Sequence, residues 1–229
     1  NSSRNNILNI FHNNSDRNTF LKKNITSLEQ SIVIEGSGVN TYHYKKAASK
    51  KLFKKDIQIL FPARIIKEKG IVELVDACND LWHKNYKFTL NIAGEVDKQN
   101  KSHLNKRTLN NLIRSKNVLF HEKCHNMFEI YSNMDIVVLP SWREGLSKSI
   151  LEAAAMSIPI ITTNVPGCND IIKHRYSGLL VEVKNKDMIK DAIQIFLEDP
   201  KLAETFANNA RKTVVKKFKL EKINKKILK

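Results

Sequence analysis

Apolar runs rich in β-branched residues recur at "IQILFPA" (57–63), "KFTLNIAG" (87–94), "NVLFHE" (117–122), "DIVVLP" (135–140), "IPIITT" (158–163) and "GLLVEV" (178–183). Each is short, bounded by Gly, Pro or polar residues, and apolar without strict alternation, which is the pattern of parallel strands buried on both faces. Between them the period changes to that of helices. Ile71, Leu74, Val75, Cys78 and Leu81 precede the second run, and Leu104, Leu109, Leu112 and Ile113 precede the third. Shorter helical connections follow, with Met127, Phe128 and Tyr131, then Ile150, Leu151 and Ala154, then Ile171 and Ile172. Strand, helix and strand in repetition predict an α/β fold with a doubly wound, Rossmann-like parallel sheet.

The segment from Lys186 onward is helical throughout in its pattern. "KDMIKDAIQIFLEDP" ends at Pro200, and Leu202, Phe206 and Ala210 in the next stretch are spaced four apart; these helices are expected to cover the last strand or lean on a neighbour. The opening differs. "ILNIFH" reads as a strand, "SDRNTFLKK" as a helix capped by Ser15, and "SIVIEGSGV" as a strand ending in a Gly-Ser-Gly turn, after which the Lys-rich "YKKAASKKLFKKD" leads to the main sheet. The first forty or so residues therefore look like the trailing edge of another unit, and a start without methionine suggests a fragment or a processed chain. No internal repeat is present.

Composition narrows the choice of function. The chain has 229 residues, 41% of them hydrophobic, which suffices for a packed core. No apolar run approaches the roughly 20 residues of a bilayer span, and no leader pattern opens the chain, so a cytoplasmic protein is expected. Three widely spaced cysteines, Cys78, Cys124 and Cys168, fit a reducing compartment better than a disulfide scaffold. The net charge of +16 is almost all lysine, dispersed among many asparagines. With only 7% aromatic residues in core-like positions, it does not form the basic surface with stacking platforms that nucleic acid requires. Attraction to acidic lipid head groups on the inner face of a membrane is the better secondary role.

Three loops at the carboxyl ends of the predicted strands carry candidate chemistry, in the place where open parallel sheets bind ligands. In "PARIIKEKG", Arg64 and Lys69 can both overhang the sheet edge, Arg as a planar fork for phosphate oxygens and Lys as a mobile point charge. In "SWREGLSKSILEAAAM", Glu144 sits in the turn, Gly145 relieves the backbone, and Ser147 caps a helix beginning near Lys148. The free amides of that helix start favour an anion. Glu144 can then face a neutral polyol beside the anion, while Glu152, one turn into the helix, reaches a second diol, because a carboxylate accepts two hydroxyls at once. The third loop, "NVPGCND", carries Gly167 and Asn169 or Asp170 as a helix cap and reads as structural. "HEKCH", with His121, Cys124 and His125, offers no fourth ligand for a zinc site, and no metal is expected. Neither a GxGxxG fingerprint nor a Gly-x-Ser-x-Gly elbow occurs.

The ordered set "GSGV", "ARIIKEKG", "NIAGE", "VVLPSWREGLSKSILEAAAMSIPIITTNVPGCNDII" and "SGLLV" resembles family 4 of the retaining glycosyltransferases, over about residues 13 to 218. The resemblance implies the C-terminal half of a GT-B fold, with residues 57–229 as the nucleotide-sugar-binding domain, 37–56 as an inter-domain linker and 1–36 as the remnant of an N-terminal, acceptor-side domain. It makes Arg64 and Lys69 diphosphate-binding cations, Glu144 the carboxylate that holds the donor sugar, and Glu152 the one that grips the ribose. Gly145, Leu146 and Ser147 become the phosphate-cradling turn, Lys148 a further donor contact, and Gly38 of "GSGV" part of the donor-binding set.

The wording of "SWREGLSKS" and "TTNVPGCND" is closest to a branch that builds capsule, O-antigen and lipid-linked oligosaccharides from UDP-sugars. The resemblance further implies transfer of a hexose or N-acetylhexosamine from a nucleotide sugar to a saccharide or lipid-linked acceptor, with retention of configuration and no cofactor or metal. Two positions depart from the family pattern: Ser157 stands where Gly is usual, and Asn40 where Asp is common. Most of the acceptor-side domain is expected to lie outside this sequence. The alternative reading is therefore a non-catalytic, nucleotide-binding fragment of a split or decayed glycosyltransferase.

Overall fold

In the opening unit, β1 (Asn9–Phe11) and β2 (Ser31–Val33) pair in parallel around α1 (Asn14–Lys22). The structure, a computed structural model, describes residues 7–45, 53, 56–97, 99–122, 124 and 126–228. Most of the Lys-rich stretch after Lys45, His125 and the side chain of Ile113 lie outside the described residues. The cap of α1 is Asn13 rather than Ser15: its Oδ1 accepts the Asp16 amide at 2.7 Å. Ser15 falls inside the first turn.

The six apolar runs form one all-parallel sheet. Its strands are β3 (Ile57–Pro62), β4 (Phe88–Ala93), β5 (Val118–His121), β6 (Ile136–Leu139), β7 (Ile160–Thr163) and β8 (Leu179–Val181), in spatial order β5-β4-β3-β6-β7-β8. Ile59, Leu60 and Phe61 at its centre are fully buried, which explains the absence of alternation in their sequence. Chain direction across the sheet reverses between β3 and β6. Loops leaving the carboxyl ends of these two strands therefore diverge to opposite faces and leave a crevice between them, the place where such sheets take ligands.

The helices follow the periodic stretches: α2 (Ile71–His83), α3 (Lys106–Ile113), α4 (Met127–Ser132), α5 (Lys148–Ala155), α6 (Lys186–Glu198), α7 (Pro200–Lys217) and α8 (Leu220–Ile227). The stripe Ile71, Leu74, Val75, Cys78 and Leu81 is buried along α2. Pro200 opens α7 as its first residue while the Asp199 side chain accepts the Leu202 amide, so α6 and α7 break cleanly at one capped corner. α6 packs against α2, and α7 against α5.

One expected helix does not form. After β7 the chain turns through residues 165–172, and Asp170 folds back so that its Oδ2 accepts the Gly167 amide at 2.9 Å. Asn169 instead donates to the Asn164 side chain. Ile171 and Ile172 are buried without helical periodicity. The C-terminal helices return to the opening segment: Val39 bridges Lys219, its amide donating to Phe218 O at 2.9 Å, and Lys226 pairs with Glu35 at 2.7 Å. Among the described residues no helix is long and apolar enough to cross a membrane.

Candidate functional site

The crevice between β3 and β6 is lined by two loops that are stitched together. After β3, the buried Ile65 and Ile66 anchor a loop that closes through a 3-10 turn, Lys67–Lys69, onto Gly70. Gly70 has φ +73, and a Cβ there would strike the Pro140 carbonyl, so only glycine permits this approach. The Trp142 amide donates to Glu68 O at 2.8 Å, locking the β6 loop to the β3 loop.

That approach brings charge together. Lys69 Nζ lies 2.6 Å from Glu144 Oε1, with the two side chains only 18% and 12% exposed. The fully buried Ser141 donates its hydroxyl to the same oxygen at 2.8 Å. Both partners converge on Oε1, which fixes the carboxylate plane. Arg64, on the same sheet edge, is more exposed and pairs with Asp97 at 2.7 Å.

The turn from Gly145 to Ser147 leads into α5. The Ser147 hydroxyl accepts the Ile150 amide, as an N-cap does, and the Ser149 hydroxyl donates to Pro62 O at 2.7 Å, tying the helix start to the end of β3. The Ser147 amide is already engaged, donating to Gly167 O at 3.2 Å. Lys148 and Ser149 are the first two helical residues, whose amides have no intrahelical acceptor. Gly167, at φ +82, lies so close to the Glu144 and Gly145 carbonyls that a side chain there would collide with both.

Glu152, one turn further along α5, is only 5% exposed. Burial raises its pKa, and hydrogen bonds from Tyr44 and the charge of Lys148 partly oppose this. Lys148 Nζ is 3.8 Å from Glu152 Oε1. A cleft of about 450 Å³ opens between α1 and the β6 loop, with Asp16, Thr19, Trp142, Arg143 and Glu144 in its walls.

A lysine paired to a loop carboxylate thus lies at the switch point, beside a capped helix with a buried second carboxylate. The family model described as "Glycosyl transferases group 1" matches residues 44–213. The chain belongs to this family. The capsular polysaccharide biosynthesis glycosyltransferase CapM of Staphylococcus aureus is 32% identical over 168 residues, 73% of this chain and 44% of that protein. The Campylobacter jejuni N,N'-diacetylbacillosaminyl-diphospho-undecaprenol alpha-1,3-N-acetylgalactosaminyltransferase is 32% identical over 216 residues, 88% of this chain and 54% of that protein. The chain thus spans about half the length of the curated relatives it matches. Anabaena HepE, crystallised with UDP and glucose, superposes with a TM-score of 0.84 at 20% identity, covering 96% of this chain and 62% of that one. That likeness establishes the GT-B type of fold.

In this member of the group 1 family, Glu144, Gly145, Leu146, Ser147, Lys148 and Glu152 follow one path from the β6 loop into α5, and Lys69 reaches Glu144 from the β3 loop that also carries Arg64. Gly38 stands apart from that path. At φ +70 it packs against Leu220, Ile223 and the Phe218 carbonyl, and the opening-segment glycine that meets the β6 loop is Gly36, against Leu146. His121 is tied to Asn91 at 2.9 Å, and Cys124 donates to His121 O. Among the described residues no group of three potential metal ligands occurs. Burial pushes the Cys168 thiol up to about 12, so it stays protonated.

Sequence reasoning missed Asn13, Ser141, Asp97 and Tyr44. Asn13 caps α1 and donates its Nδ2 to Gly145 O at 2.8 Å, joining the opening unit to the β6 loop. Ser141 lies three residues before Glu144, a spacing that could have flagged it. Asp97 and Tyr44 reach their partners only through the tertiary fold.

Proposed function

We propose that the chain is the donor-binding part of a retaining, family 4-type glycosyltransferase that moves a hexose or N-acetylhexosamine from a UDP-sugar to a saccharide or lipid-linked acceptor in surface polysaccharide synthesis. The observation that carries this reading is the Lys69–Glu144 pair at the switch point, with Glu152 buried one turn into the adjacent helix. UDP is favoured because HepE, of the same fold, is crystallised with it. The acceptor class follows the names of the Staphylococcus and Campylobacter relatives.

Each group has a defined task. Glu152 accepts the two ribose hydroxyls, as a carboxylate does with a vicinal diol. Lys69, Arg64 and the first amides of α5 meet the diphosphate. Glu144, held through Oε1, offers Oε2 to the donor sugar's hydroxyls. As the bond between the anomeric carbon and the phosphate oxygen breaks, the acceptor oxygen bonds to that carbon from the same face and its proton passes to the departing phosphate. Negative charge grows on the leaving group, where fixed cations and amides act more strongly than water would. These groups supply the charge compensation themselves, and the reading requires no metal. A lipid-linked acceptor would bring the protein to the inner face of a membrane, where a net charge of +16 favours peripheral association with anionic lipid.

A second reading is favoured by the coverage of only about half of the curated relatives: this length of chain binds the nucleotide but needs an acceptor-side domain for transfer. Calorimetric titration with UDP, GDP and ADP, without added metal, tests the donor site common to both. UDP binding weakened about ten- to hundredfold by Lys69→Ala and by Glu152→Ala is expected, the loss of one charge-assisted contact. A folded protein that binds no nucleotide contradicts both readings. Transfer from UDP-sugar to a lipid-linked acceptor by the chain alone decides between them.

A further inference from the structure

The segment before β8 makes a tight turn against α7. The Ser177 hydroxyl accepts the Lys173 amide at 2.8 Å, and the Tyr176 and Ser177 amides donate to Lys173 O at 3.2 and 2.9 Å. His174 Nδ1 accepts the Leu180 amide at 3.0 Å, and Asn209 of α7 donates its Nδ2 to Tyr176 O at 2.9 Å. These bonds fix the backbone and bury Ser177, while Lys173, His174, Arg175 and Tyr176 stay exposed.

Between this turn and the C-terminal end of α7 lies a cleft of about 600 Å³, with Lys173, Lys212, Lys216 and Lys217 in its walls. Among the described residues none of these lysines forms an ion pair. The only acid among the described lining residues is Asp170, whose Oδ2 accepts the Gly167 amide at 2.9 Å. Lys173 Nζ lies 5.7 Å from the Tyr176 ring centroid, which keeps that cation beside the aromatic ring.

Lys216 and Lys217 gain from the C-terminal end of the helix dipole. Lys212 lies more than a turn from that end and Lys173 is on another segment, so the dipole does not account for them. Lys212 and Lys216 stand four apart on α7, a like-charge spacing that destabilises a helix. An anion seated in the cleft removes that repulsion.

We propose that this cleft is the surface by which the protein docks on an anionic membrane, with lipid phosphates among the lysines and Tyr176 and Val215 at the interface. It names the surface for the peripheral association in the functional reading above and rests on that reading. Tyr176 is 51% exposed, and Val215, between Lys212 and Lys216, is 40% exposed. A phenol and an apolar side chain flanked by lysines suit the head-group level, where lysine stems lie along apolar surface and the ammonium stays with phosphate. Nucleic acid needs a track of stacking platforms, and Tyr176 is the sole aromatic among the described lining residues. The placement also fits the reaction. Asp170 holds Gly167, which abuts the Glu144 and Gly145 carbonyls, so the docking face borders the loop proposed to hold the donor sugar.

The test is flotation of the protein with vesicles of phosphatidylcholine alone or mixed with phosphatidylglycerol. It compares the wild type with Lys212→Gln/Lys216→Gln and with Lys87→Gln/Lys116→Gln, which removes the same charge at the amino ends of β4 and β5. Thermal unfolding shows that each is folded, and UDP titration reads the donor site separately. The wild type should float only with phosphatidylglycerol, and less as salt rises. The cleft pair should weaken binding about 25-fold, about fivefold for each lysine, and the control pair far less. Equal weakening by both pairs means diffuse attraction, which overturns the cleft and leaves peripheral association standing. A wild type that floats with neither vesicle, whatever the UDP result, overturns peripheral association and this proposal with it. A single-stranded oligonucleotide that binds as tightly as the vesicles, and is lost in the cleft variant, assigns the face to nucleic acid and also overturns it.

Discussion

Lys69 Nζ and Glu144 Oε1 are 2.6 Å apart in space and 75 residues apart in sequence. The contact exists because Gly70 lets the β3 loop close against the Pro140 carbonyl, and because Ser141 holds the carboxylate from the other side. Neither side chain is well exposed, so the pair is less screened than a surface ion pair. It is a prepared charge arrangement, and it also links the two loops that frame the crevice.

If the pair links the loops, its members are coupled energetically. Lys69→Met and Glu144→Gln should each lower stability, and the double variant should lose less than the sum, with a coupling of about 1 kcal/mol. A thermal double-mutant cycle measures this directly, and strict additivity would mean that the loops are held by backbone contacts alone.

Asn13 should be costly to remove although no motif contains it. Its side chain caps α1 and donates to Gly145 O, and it is only 4% exposed. Asn13→Ala should destabilise the protein by about 1–2 kcal/mol. The same change should weaken UDP binding by loosening the Gly145 turn. Denaturant unfolding and titration of the same sample separate the two effects.

Ser157 is the opposite case, a site that awaits improvement. The Ile158 amide donates to Ala153 O and the Ser157 amide to Ala154 O, the pair of bonds that closes a helix with a left-handed residue. Ser157 takes that conformation at φ +53, which costs a residue with a Cβ roughly 1–2 kcal/mol. Part of this is recovered as backbone entropy lost by glycine. Ser157→Gly should therefore raise Tm by about 2–4 °C. A lower Tm in a differential scan would contradict this expectation.

Glu152 should trade stability for binding. Its folded pKa lies above its unfolded value, chiefly through burial. Between those two values the native state holds the extra proton, so stability falls as pH rises through that window and stays lower above it. Glu152→Gln should accordingly be more stable than the wild type at neutral pH, with the difference closing as pH falls below the ordinary carboxylate range. Its UDP affinity should be reduced throughout. Melting curves over pH for both proteins give the sign.

The sheet was legible because its strands are buried on both faces, so Ile59 to Phe61 or Ile136 to Leu139 had to be continuous apolar runs. The α5 start was equally legible, since a serine before a helix has one local use. Local signals failed where two plausible caps competed: Asn13 and Ser15 are both good caps, and the fold selects the one that also reaches Gly145. They failed again after β7, where Asp170 closes a turn onto Gly167 that the helical spacing of Ile171 and Ile172 concealed. Gly38 sits in a recognisable motif, but its space is taken by Leu220 and Ile223, which no local pattern reports. The contact of Glu144 with Lys69 belongs to the same class: partners far apart in sequence are chosen by the topology.

The most direct measurement is a two-dimensional amide NMR titration of the protein with UDP. A donor site at the junction of β3 and β6 predicts shifts at Lys69 and Gly70, from Glu144 to Ser149, and at Glu152. Shifts confined to the opposite end of the sheet, around Trp82 and Phe88, or no shifts in a folded sample, would contradict it.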